Sequence, residues 1–197
     1  HMYGRNPETL ASHGWSQLTN QEYWETEISG NSTDMAGALQ EAGWIHHCLV
    51  NSGMHAFHYW WFEDMVTNNN LNIKAFVLGN YSKFIRPGYY RMGATSVPSS
   101  GVSVSAFKNT NNSAPTTFVI VAINANGSNV SQTFNLNGLS TTSVVPWLTN
   151  SGTNLVQQSA VAVSGNSFTY NIPASSVISF VGVNAAGPTW TPTRTLS

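Results

Sequence analysis

Charge is the scarcest commodity in this sequence. Only 8% of its 197 residues are Asp, Glu, Lys or Arg, and the net charge is −1. That balance offers no electrostatic grip on nucleic acid or on an anionic membrane surface. Cysteine is almost missing. Cys48 stands alone, which excludes an intrachain disulfide framework and a thiolate metal site. On the apolar face of a predicted helix it reads as a small inert hydrophobe. No run approaches the ~18 apolar residues of a membrane span. There is no glycine-rich phosphate loop and no G-x-S-x-G elbow. The histidines, among them His46, His47, His55 and His58, lack H-E-x-x-H or similar ligand spacing, so no metal and no cofactor is expected. The chain opens His1-Met2-Tyr3-Gly4 without a signal-peptide pattern. His-Met can be an expression-tag remnant or native, and the natural N-terminus is expected upstream.

What is present suffices to fold. Hydrophobic residues make up 41% and aromatics 12%, well above the level of disordered chains, and the length allows a real core. Ser, Thr, Asn and Gly supply the polar surface. Two periods divide the sequence. Over residues 1–93, short strands alternate with helices: a strand at 23–28, a helix over 34–50, an aromatic strand at 56–62 and a helix near 74–84. Met35, Leu39, Ala42, Ile45 and Leu49 mark one face of the first helix. Ser32, Thr33 or Asp34 can cap its start, and Gly53 follows its end. Arg86-Pro87-Gly88 stops the second helix. This rhythm predicts an α/β arrangement with a parallel sheet.

From about residue 94 to 184 the period shortens. Strands are predicted at 102–107, 117–124, 130–136, 142–148, 155–163, 167–171 and 176–183, with turn clusters such as Asn126-Gly127-Ser128 between them. That spacing predicts an antiparallel β-sandwich. Residues 185–197, with Pro188 and Pro192, read as a tail or linker.

Among the few carboxylates, Glu27 closes a predicted parallel strand, the end at which α/β barrels carry catalytic groups. Glu25 stands two residues earlier, which on a regular strand puts both on one face about 6.6 Å apart. A retaining glycosidase needs its two carboxyl groups on opposite sides of the bond, so a pair on one strand is a poor constellation. Asp34 is read as a helix cap and Glu41 as a solvated helix residue. Trp24, Phe57, Tyr59, Trp60, Trp61 and Phe62 cluster near Glu27. Half of these belong to a core, while a tryptophan at a strand mouth also suits the apolar face of a sugar ring. Five N-x-S/T matches, beginning with Asn31, carry little weight in so asparagine-rich a chain.

Residues in this order resemble glycoside hydrolase family 30, in particular its bacterial xylanase branch. The resemblance rests on His1-Met2-Tyr3-Gly4, Trp24-Glu25-Thr26-Glu27, Tyr59-Trp60-Trp61, the specific segment Tyr81-Ser82-Lys83-Phe84-Ile85-Arg86-Pro87-Gly88-Tyr89, and the run Val119-Ile120-Val121-Ala122-Ile123-Asn124. It implies the C-terminal part of a (β/α)8 barrel followed by a β-sandwich side domain, a retaining mechanism and a xylan substrate. It implies Glu27 as nucleophile, Tyr3 as its contact, and Trp60 or Trp61 as stacking residues. The family's acid/base glutamate lies on an earlier strand and is expected outside this chain. The isolated chain is therefore expected to be inactive, and to need a complementing N-terminal chain or self-association to cover its open edges. Secretion is expected, since such polar, weakly charged surfaces are common among extracellular carbohydrate-active proteins.

One departure from the family pattern bears on specificity. The glucuronate-dependent branch carries an arginine shortly after its paired tryptophans and tyrosines shortly after the nucleophile. Here Trp60-Trp61 is followed by Phe62, Glu63, Asp64 and Met65, and Glu27 by Ile28, Ser29, Gly30 and Asn31. Dependence on glucuronate is therefore not expected, with the two acids either repelling it or standing in a solvated loop. Another β-glycan or a glucosyl lipid remains an alternative substrate. A non-catalytic sugar-binding module is the alternative of another class, although such a module has no need of the W-x-T-E strand.

Overall fold

The computed structural model describes residue 22 and residues 24–109 and 116–184. Tyr3 and the tail 185–197 lie outside the described residues. The described residues start with a β-α-β unit. Strand β1 (Trp24–Ile28) leads to helix α1 (Met35–His46), which runs on as a π-helical turn (His47–Asn51). Strand β2 (Ala56–Tyr59) then returns parallel to β1. Asp34 caps α1 by accepting from the Gly37 N–H at 3.0 Å. After β2 come a 3₁₀ turn (Phe62–Met65) and a small hairpin of β3 (Val66–Thr67) and β4 (Asn70–Leu71). Its turn residues Asn68 and Asn69 both have positive φ, a conformation asparagine tolerates better than most residues. Asn72 caps the next helix, α2 (Ile73–Ser82), through the Lys74 N–H.

The remainder is antiparallel. Strands β5 (Tyr89–Met92), β6 (Val102–Asn109), β7 (Thr116–Asn124), β13 (Ser176–Asn184), β9 (Ser143–Asn150) and β10 (Thr153–Gln157) lie side by side in that order, and β11 (Val161–Ala162) pairs with β9. The second sheet is the pair β8 (Val130–Asn135) and β12 (Ser167–Ile172). Between them Phe134, Phe168 and Phe180 meet with ring centroids 4.8–5.1 Å apart. The antiparallel sandwich read from the sequence is present. The strand expected over 155–163 is two pieces, because Pro146 in β9 has no N–H with which a continuous neighbour could pair.

The large sheet is covered on both faces. Phe118, Ile120 and Ala122 of β7 point into the sandwich, while Val119, Val121 and Ile123 meet Ala38, Ala42 and Ile45 of α1 and Val77 and Tyr81 of α2. Asn80 of α2 bolts this second interface. Its side chain donates to Ser179 Oγ and to the Trp147 carbonyl at 3.0 Å each, and Ser179 Oγ donates back to the Asn80 carbonyl at 2.6 Å. Three layers result, helices on sheet on strand pair.

Of two expectations about the first helix, one holds and one changes. Cys48 is fully buried as expected, and burial pushes its thiol up to about 12. Glu41 is not solvated: it is wholly buried. It shares the inward face of α1 with Ala38 and Ile45, three residues before it and four after, so the helix turns it toward α2 and Lys74. The sequons at Asn31 and Asn80 are buried as well.

Candidate active site

The C-terminal ends of β1 and β2 lie side by side, with Glu25 opposite Phe57 and Ile28 opposite Tyr59. Between these pairs Thr26 and Glu27 of β1 face His58 alone of β2, which is a bulge. It interrupts the alternation on which the same-face reading of Glu25 and Glu27 depended. Glu25 is buried, and its carboxylate accepts from the Glu27 N–H at 3.1 Å. Its charge is felt by Cys48 in the helix layer, where it helps raise the thiol. Trp24 and Thr26 stand exposed, and Glu27 is half-buried and engaged with a neighbour. Glu25 is therefore a support beneath the strand, and the bulge re-aims the residues after it.

Across from Glu27, the Trp60 N–H donates to the Ile28 carbonyl at 2.9 Å, extending the strand pairing by one residue. Trp60, Trp61 and Phe62 follow, 49%, 58% and 65% exposed. Trp61 holds φ 77°, a left-handed conformation that is strained for a bulky side chain. The turn is thus bent so that three consecutive aromatics face outward at the mouth of the strand pair. Trp24, at the N-terminal end of β1, is exposed too, its ring 5.9 Å from that of His58.

Asp64 and Glu63 part company. Glu63 is exposed. Asp64 turns inward, 3.1 Å from the Tyr59 hydroxyl and 3.9 Å from Lys74 Nζ. Tyr59 also donates to Asn31 Oδ1 at 2.7 Å and accepts from Lys74 Nζ. Burial and the neighbouring Asp64 carboxylate both raise the Tyr59 hydroxyl above its ordinary range. Burial lowers Lys74, against the pull of Asp64 and Glu41. None of this network could be read from periodicity, although Lys74 at the second position of a helix breaks the usual preference for acids there.

Among the described residues no group of three or more His, Cys, Asp or Glu side chains could hold a metal ion. The structure places Glu27, Trp60 and Trp61 on adjoining strand ends.

Comparison with known proteins follows the same lines. No protein-family model matches the chain. Glucuronoxylanase XynC of Bacillus subtilis is 33% identical over 192 residues, which is 92% of this chain and 44% of that protein. A GH30 endoxylanase from Clostridium papyrosolvens superposes with a TM-score of 0.84 at 36% identity, over 94% of this chain and 48% of its own. A glycoside hydrolase family 30 subfamily 8 xylanase from Clostridium acetobutylicum matches with the same TM-score at 30% identity, over 93% and 47%. The chain spans about half the length of the relatives it matches.

Proposed function

Since this chain belongs to glycoside hydrolase family 30 and corresponds to the C-terminal part of its xylanases, we propose that it carries the nucleophile half of a retaining, xylan-cleaving active site. Residues up to about 88 are then the last strands and helices of a (β/α)8 barrel; the side domain, read from the sequence as 94–184, starts a few residues earlier, because β5 (Tyr89–Met92) pairs with β6 in the sandwich sheet. The observation that carries this reading is the placement of Glu27 at the end of β1, directly beside the outward-facing Trp60-Trp61 turn at the end of β2.

The chemistry follows from that placement. The Glu27 carboxylate attacks the anomeric carbon of a xylose unit and the glycosidic bond breaks toward its oxygen. A second carboxylic acid protonates the leaving oxygen, then activates the water that releases the glycosyl-enzyme. That acid belongs to the part of the enzyme outside this chain, on an earlier strand. The two tryptophans supply flat apolar platforms for sugar faces. Xylan is the substrate class carried over from the named relatives, and secretion fits a polymer too large to enter a cell.

The test is the Glu27→Gln variant of an assembly that cleaves xylan. Gln keeps the shape and removes the attacking charge, so turnover should fall by more than about 10⁴-fold with the fold unchanged. Wild-type activity in that variant would remove Glu27 from the mechanism. A second experiment concerns the chain by itself. Without its acid/base, which contributes roughly 10²–10⁴-fold, it should release negligible reducing ends, and native mass spectrometry should find an oligomer or a complementing chain. An active monomer would refute the division of the site between two parts.

A further inference from the structure

Lys74 occupies a place that local physics disfavours twice. It sits in the first turn of α2, two residues after the cap Asn72, where the helix dipole opposes a cation. It is also fully buried, where an ammonium is costly unless well partnered. An apolar side chain would satisfy both the helix and the core. What the ammonium does instead is reach three separate segments. It donates to the Tyr59 hydroxyl at the end of β2 and lies 3.4 Å from the Asn31 carbonyl in the loop that follows Glu27. It stands 3.9 Å from Asp64 in the turn that follows the tryptophans. Asn31 is itself tied to the start of α1 through the Gly37 carbonyl.

We propose that Lys74 is a positioning residue of the sugar site, a buried clamp that holds the Glu27–Asn31 loop and the Trp60–Asp64 turn in one mutual geometry. This rests on the reading of Glu27, Trp60 and Trp61 as the site. The clamp explains how a left-handed Trp61 persists. The turn is fixed on its N-terminal side by the Trp60–Ile28 hydrogen bond and on its C-terminal side by Asp64, whose carbonyl also accepts from Asn72 Nδ2 at 2.7 Å. Two anchors on either side of Trp61 over-determine its conformation. Tyr59 is the second hub, because its hydroxyl touches Asn31, Asp64 and Lys74 as well.

Two measurements test the clamp. In the 197-residue chain, chymotryptic cutting after Trp60, Trp61 and Phe62 is followed by mass spectrometry and normalised to cutting after Tyr170 in the sandwich. Lys74→Met should raise this ratio about tenfold, because local opening controls cleavage. Tyr59→Phe, which removes the second hub and leaves the cation, should raise it in the same direction. An unchanged ratio in both variants overturns the clamp, including the case in which Lys74→Met merely loosens the whole chain. In the xylan-cleaving assembly, Lys74→Met should raise KM for xylohexaose about tenfold while kcat falls less than about threefold. Equal loss in kcat with KM unchanged would also overturn it. The underlying hydrolase reading fails separately: Glu27→Gln would then retain turnover, whatever the proteolysis ratio shows.

Discussion

The sandwich and the β1–β2 rim are built from similarly aromatic sequence yet end in opposite states. In the sandwich, Phe118, Phe134, Phe168 and Phe180 are all under 8% exposed, and every layer finds a partner within the chain. At the rim, Trp60, Trp61 and Phe62 are about half exposed or more. Antiparallel strands joined by short connections close a core locally, whereas a parallel pair with one crossover helix covers only one of its faces. The helices that pack against that face, with Phe57 of β2, also cover the back of the sandwich sheet, so the rim is anchored to the sandwich even though its aromatics face outward. A binding surface needs that combination, since exposed aromatics contribute little unless their geometry is held.

The largest expected effect lies in the sandwich. Phe180→Ala removes a fully buried ring that meets Phe134, Phe168 and Tyr170, and should cost about 3–5 kcal/mol. Because α1 and α2 rest on the same sheet, far-UV signal from helix and strand should disappear in one transition. Two separate transitions would break the picture of a shared foundation.

The next effect lies where the two regions meet, and it depends on pH. Burial pushes Glu41 up to about 8, opposed by Lys74. Between its ordinary value of 4.5 and about 8, the folded state keeps a proton that the unfolded state has lost. Stability from this group is thus complete below 4.5 and is lost as pH rises through that window. His46 acts oppositely. Burial, with His47 and Arg91, lowers it from 6.5 to about 4, so its contribution is lost as pH falls between those values. Glu41→Gln should therefore raise Tm at pH 8, by about 5 °C, and change it little at pH 4. The same gain at both values would show that Glu41 is not holding a proton in the fold.

A smaller loss is expected from Gly182→Ala. Gly182 lies opposite Phe118 across the β13–β7 pair, and a Cβ there would collide with the Phe118 ring. Overpacking of this kind costs about 1–3 kcal/mol, measured by urea denaturation. A neutral result would mean that the ring has room to turn away.

Specificity sharpens the rim side of the comparison. Glu63 is exposed, Asp64 is turned onto Tyr59, and the nearby cation Lys74 is buried. None of the three offers the forked grip that a glucuronate carboxylate would need. The xylan-cleaving assembly should show kcat/KM for glucuronoxylan within about tenfold of that for linear xylooligosaccharides. A preference of about 100-fold, roughly 2.7 kcal/mol, would mean that another residue supplies the grip.

The smallest effect makes the sharpest contrast with Phe180. Trp61→Ala, at an exposed position, should change stability by no more than about 0.5 kcal/mol, yet it should raise KM for xylooligosaccharides. A large loss of stability would place Trp61 in the core instead of in the site.

Much of this molecule could be read along the chain because the relevant forces act between residues close in sequence. The cap at Asp34, the stop at Pro87 and the antiparallel run after residue 94 follow from backbone sterics and alternation, and Glu27 stood out as a rare carboxylate at a strand end. The continuous run Phe118-Val119-Ile120-Val121-Ala122-Ile123 even held a signal that alternation alone passes over. An unbroken apolar strand is covered on both faces, and here the second cover is α1 and α2. Other features belong to tertiary structure alone. The bulge between Glu25 and Ile28 depends on the register with β2. The burial of Glu41 depends on where α2 lies. The meeting of Lys74 with Asn31, Tyr59 and Asp64 joins residues up to 43 positions apart. Propensity and periodicity act over a few residues, but a buried charge takes its partners from whatever the packing brings within reach, and no local pattern encodes that.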